Sequence, residues 1–125
     1  MRVNKTFSSI TSGTPVNALT GTTSAPGDST RPVYATRVFI QAPHSSTNGI
    51  VYVLDSGGPV RVPSSANADD IVAELAAATS TAPGGDYSDV DFRDGGGIDL
   101  RTVWIDVATT NTPARISFDL KASAS

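Results

Sequence analysis

The chain is predicted to fold as a mainly β domain: a small antiparallel β-sandwich with one short helix at about 67–79 and an extended N-terminal arm. Three observations predict it. Residues 33–42, 50–54, 100–108 and 114–120 alternate apolar with polar side chains and are rich in β-branched and aromatic residues, the pattern of half-buried strands. Ser and Thr make up about a quarter of the chain, well above ordinary usage. Eleven Gly and eight Pro supply frequent turn points. At 125 residues the chain is long enough for one domain with a core of its own.

Taken in order, residues 1–32 hold only five Val, Ile, Leu or Phe, with three bases and one acid. That is too little apolar surface to fold alone, so the segment reads as an arm that orders on contact. A first strand from Val3 to Ile10 followed by a long loop stays open beside it, and the two readings agree if that strand pairs with another chain. Arg2, Val3, Phe7 and Ile10 are then its interface candidates. The expected compact domain is 33–120, with 121–125 a flexible tail.

Residues 33–42 read as a strand that sets Tyr34, Thr36, Val38 and Ile40 on one side and Ala35, Arg37 and Phe39 on the other. Pro43 ends it. The turn through Asn48-Gly49 suits positive φ at a hairpin tip, with Ile50 to Leu54 as the returning strand and Val60 to Val62 as a short third one. Next, Ala68, Ile71, Val72, Leu75 and Ala78 recur at helical spacing. Ser64, Ser65 or Asn67 can cap this helix, and Pro83-Gly84-Gly85 stops it. Residues 86–97 form an acidic loop or irregular edge. Leu100 to Ala108 is a strand with Val103, Ile105 and Val107 on one face and Trp104 and Asp106 on the other, and Ala114 to Leu120 sets Ile116, Phe118 and Leu120 inward.

Composition excludes several chemistries. The sequence has no Cys, hence no disulfide, thiolate nucleophile or Cys-ligated metal. The net charge of −3 carries no strong electrostatic claim, but the pI near 4.8 argues against nucleic acid as the main partner, since phosphate binding needs a basic footprint. No apolar run approaches membrane-spanning length, and the N-terminus lacks the apolar core of a signal peptide. His44, the single histidine, follows Pro43 in a polar loop, with no serine set in a nucleophile-elbow pattern. Asp86, Asp89, Asp91 and Asp94 are the best candidate ligands for a hard cation such as calcium. Their spacing departs from an EF-hand loop and no glutamate closes it, so no metal or other cofactor is expected. Trp104, turned away from Val103 and Ile105, is a further interface candidate, with a sugar platform as its alternative role.

The succession Thr36-Arg37-Val38-Phe39-Ile40-Gln41-Ala42, then Asn48-Gly49-Ile50-Val51-Tyr52-Val53-Leu54-Asp55, then Gly97 to Ala108 resembles small virion proteins of tailed bacteriophages, of the capsid decoration (cement) or minor head type. The resemblance covers about residues 33–118 and lies in packing and turn patterns rather than catalytic signatures. It implies a non-enzymatic structural protein of the virion, made in the host cytoplasm and placed on the capsid surface. Its implied partners are the major capsid protein and further copies of itself, in a threefold arrangement, with neither nucleic acid nor membrane among them. A head–tail, tail or fibre-associated protein, or a host-surface glycan-binding module, is the alternative.

Overall fold

The computed structural model describes residues 1–45, 47, 49–90 and 97–121. Among the described residues, nine strands build two antiparallel sheets packed face to face. The first, sheet A, runs in the order β1 (Arg2–Ile10), β9 (Thr112–Leu120), β3 (Tyr34–Gln41), β6 (Asp86–Val90), and the short β7 (Ile98–Asp99) also pairs with β3. The second, sheet B, runs β2 (Val16–Asn17), β8 (Val103–Val107), β4 (Val51–Asp55), β5 (Ile71–Leu75).

The core lies between the sheets. Val38 and Ile40 of β3 and Ile116 and Phe118 of β9 meet Val51, Val53, Ile105 and Val107 of sheet B, all buried. Each such aliphatic side chain contributes about 1.5–3 kcal/mol on leaving water. The alternation of β9 carries straight through to the structure. In β3 it does not: a bulge between Ala35 and Arg37 resets the period, so Ala35 and Val38 both face inward although they sit three residues apart.

Four expectations need correction. The segment expected as a helix at 67–79 holds only a single 3-10 turn, Ala68–Asp70, capped by the Asn67 side chain, and then β5. Ile71, Ala73 and Leu75 satisfy a strand period as well as a helical one, and pairing with β4 (Val51 opposite Leu75, Val53 opposite Ala73) decides for the strand. Gly84 and Gly85 do not stop a helix; they let the chain pass against its own backbone, for a Cβ at Gly84 would collide with the carbonyl oxygen of Ala76.

The expected hairpin is a crossover. β3 and β4 lie in different sheets, and the chain changes layer between them. Asn48 lies outside the described residues. Gly49 does not have positive φ; it is needed because a Cβ there would meet the Thr109 side chain at 2.8 Å. The third correction concerns Val60 to Val62, expected as a strand, which is an exposed loop.

The fourth concerns the N-terminal arm. Residues 2–7 pair in continuous register with β9, from Arg2 opposite Asp119 to Phe7 opposite Ala114. After a bulge Ile10 returns to the core, 1 % exposed. Asn17 and Ala18, wholly buried, seat the following turn beside β8. Residues 2–19 are therefore built into the sandwich of their own chain, and residues 20–32 follow as a mostly exposed loop. Of the expected tail, Lys121 follows β9 directly, and 122–125 lie outside the described residues.

Candidate functional site

The outer faces of the two sheets differ. On sheet B, Leu54 and Trp104 project away from the core and are nevertheless buried. Two loops come over them, fastened by Asp106 on the same face. Its carboxylate is wholly buried and accepts hydrogen bonds from the Gly13 amide (3.1 Å), the Val107 amide (2.8 Å) and the Ser65 hydroxyl (2.7 Å). A second clip holds the 56–70 loop: the Arg61 guanidinium donates to Asp70 at 2.6 Å and the Ser64 amide to the same oxygen at 2.9 Å. These bonds, the guanidinium's first, hold the Asp70 carboxyl below its ordinary value of 3.8. Asn17 pins the turn after β2: its amide donates to the Arg101 carbonyl at 2.9 Å, and its carbonyl oxygen accepts from Leu19 and Thr20.

Trp104 is thus enclosed by its own chain. It cannot serve as a subunit contact or a sugar platform without the covering loops lifting. Of the other interface candidates, Ile10 is a core residue, Val3 and Phe7 are half-buried against the core, and Arg2 is exposed with its guanidinium on Asp119 at 3.0 Å. Sequence reasoning missed Asp106, Asn17 and Ser65 as fasteners. Asp106 had one signal, an acid in the middle of an apolar strand.

Among the described residues, none covers the outer face of sheet A. Strand register sets Arg2, Asp119 and Arg37 in one row, Asn4, Ser117 and Phe39 in the next, and Thr6, Arg115 and Gln41 in the third. Arg2, Asn4, Thr6, Arg37 and Arg115 are exposed, and Phe39 is half-buried among them. A shallow hollow of about 140 Å³ opens between Arg2, Arg37, Phe39 and Ser117. Asp119 sits below its ordinary value because of the hydrogen bond from Arg2 and, further off, the charge of Arg37.

Of the four candidate cation ligands, the two that are described do not converge. Asp86 and Asp89 stand three apart on β6, opposite Gln41 and Val38, and so point to opposite faces of the sheet. Asp91 and Asp94 lie outside the described residues, and among the described residues no three His, Asp or Glu side chains gather as a metal site would require. Asp89 instead lines a cleft of about 130 Å³ between the sheets, walled by Val53, Val72, Ile98 and Val103, with Asp55 and Tyr87 beside it. Partial burial, then the charge and hydrogen bond of Asp89, push the Tyr87 hydroxyl up. His44 is exposed.

Comparison of the chain with protein-family models, curated proteins and solved structures finds no match. Among the described residues no helix is long and apolar enough to cross a membrane.

Proposed function

We propose that this chain is a structural virion protein of a tailed bacteriophage that binds the outside of the capsid and stabilises or decorates the shell, without catalytic activity. The observation that supports the reading is where the three phage-like segments fall. Thr36 to Ala42 forms most of β3, a central strand of sheet A. Gly49 to Asp55 and Gly97 to Ala108 supply β4 and β8, the two central strands of sheet B. The resemblance therefore lies on the residues that make the sandwich, as it should if it is a likeness of fold and role.

Its partners in this reading are the major capsid protein and further copies of the chain, in a threefold arrangement. Self-association has a candidate route in β1. This nine-residue strand stands at the edge of sheet A and pairs only with β9 among the described residues, so a neighbour's strand can extend the sheet there.

Cryo-electron microscopy of empty capsids of the cognate phage, incubated with the purified protein, tests the reading. Ordered density at symmetry-related positions is expected. Bare capsids that are competent to bind other head proteins would overturn it and favour a head–tail, tail or fibre position.

A further inference from the structure

We propose that the outer face of sheet A is the docking surface of this chain and that its partner there is a protein surface presenting carboxylates. The inference deepens the capsid-binding reading, on which it rests, by naming which face meets the shell and the chemistry it meets.

Three observations carry it. First, the sandwich uses its two outer faces differently: loops cover the part of sheet B's outer face around the buried Trp104, Leu54 and Asp106, while on that of sheet A Arg37, Arg115, Asn4 and Thr6 are exposed. Second, charge is segregated. The whole chain is acidic, with a net charge of −3, yet three of its seven arginines, Arg2, Arg37 and Arg115, share this face. The acids among its described residues are Asp119, already taken by Arg2 at 3.0 Å, and Asp86 at the far edge. Third, Arg37 makes no hydrogen bond or ion pair among the described residues, and half-buried Phe39 lies two residues along the same face. An arginine beside an aromatic ring, over a shallow hollow, is the composition of interface hot spots.

The spacing suits a facing surface rather than one small anion. Arg2 and Arg37 stand two strands apart, about 10 Å, and Arg115 lies four residues further along the sheet, about 13 Å. Arg2 and Arg37 flank one carboxylate, Asp119, while Arg115 stands apart from both, so Arg37 and Arg115 reach separate acids on a facing surface. An acidic partner also repels the rest of this acidic chain, which leaves one favourable orientation of approach.

Two measurements test the proposal. Co-sedimentation with empty capsids compares the wild-type chain with the double variant Arg37→Glu/Arg115→Glu, and with Glu74→Lys on the opposite sheet as a control. The double variant should bind at least about tenfold more weakly, with a shallower salt dependence, and Glu74→Lys should bind as well as wild type or better. Equal binding by the double variant overturns the proposal. So does a change of oligomeric state with capsid binding intact, which would make the face a self-contact. NMR titration with a poly-glutamate peptide supplies a readout independent of capsids. Amide shifts should cluster on β1, β9 and β3 around Arg37 and Arg115. If they do while capsids stay bare, the capsid-binding reading fails and the carboxylate face stands; if the face does not respond, the face is wrong whatever the capsids do.

Discussion

Asp106 offers the sharpest test of how the sandwich is closed. Its neighbour Ala108 donates its amide to Ile50 on the β4 side, and Val103 accepts from Ala18 on the β2 side. Alternation along β8 therefore turns the Val107 amide toward β2, which has already ended. The Asp106 carboxylate satisfies that buried donor and ties Gly13 and Ser65 down at the same time. Asp106→Ala leaves three donors without a partner. Gly13 is exposed and Ser65 half-buried, so water can replace two of them, but the Val107 amide is enclosed. One orphaned buried donor at about 1–3 kcal/mol, plus a partial loss at the other two, gives a destabilisation of about 2–4 kcal/mol. Asp106→Asn behaves differently. Its carbonyl oxygen can accept from Gly13 and Val107, and its amide can donate to the Ser65 hydroxyl, which turns to accept. All three contacts survive, and the cost should be about 1 kcal/mol or less. Urea denaturation followed by tryptophan fluorescence measures both. If Asn costs as much as Ala, the carboxylate is not acting as a hydrogen-bonded fastener and this account of the covered face fails.

Other consequences follow from the same geometry. Trp104, the single tryptophan, should emit at short wavelength and resist iodide quenching in the native state, shifting red only on unfolding; a quenchable native signal would mean that the loops do not cover it. Gly84→Ala should destabilise by about 1–3 kcal/mol, read from thermal melting, because the new methyl must displace the Ala76 carbonyl. Asp70 and Asp119 are held below their ordinary value of 3.8, so their contribution is fully present above that pH and is lost as pH falls through the lower folded-state values. Melting temperature should accordingly drop below about pH 4, and Asp70→Asn should flatten that drop. Deleting residues 1–32 should unfold the domain by circular dichroism, since it strips β1 from β9 and removes Ile10 and Asn17 from the interior.

The layered β architecture was legible wherever one period ruled without a competitor. In β9, Ile116 and Phe118 alternate with Arg115 and Ser117, and no helical reading fits the same residues. At 68–79 two periods coexist. Ile71 and Leu75 serve both, Val72 adds a helical neighbour, and the alanines raise helix propensity. The decision came from outside the segment, from the β4 edge that needed a partner. Local pattern carries no record of that demand. The crossover from β3 to β4 was hidden for a related reason: a turn sequence describes a bend and not the layer in which the chain resumes. At the functional level, the strand period placed Trp104 and Asp106 on one face together, but no signal announced that loops from residues 13 and 65 would fold over both. The row of Arg2, Asp119 and Arg37 depends on register among three strands far apart in sequence, and register is invisible until the pairings are known.

The N-terminal segment shows how composition and pairing answer different questions. With so few apolar residues, 1–32 cannot fold by itself. It does not have to, because β9 supplies a complete ladder and β1 needs to bring only Val3, Phe7 and Ile10 to the core face. Lys5, on that same face, is accommodated by reaching across the Phe118 ring, 5.7 Å away, to the Ala18 and Leu19 carbonyls at 3.3 and 3.0 Å. Its charge thus fastens β1 to the turn that follows β2, and the strand is held by both sheets. The consequence for binding is direct. A segment used this way is not free to reach out and wrap a lattice, so in the proposed reading a partner meets the sandwich itself, at the edge of β1 that is unpaired among the described residues or on the arginine-bearing face beside it. Those two surfaces are contiguous, since Arg2, Asn4 and Thr6 belong to both. A neighbour added along β1 would therefore extend that face sideways, and a charge reversal at Arg37 or Arg115, one or two strands in from the edge, separates the effects of the two contacts better than any change in β1 itself.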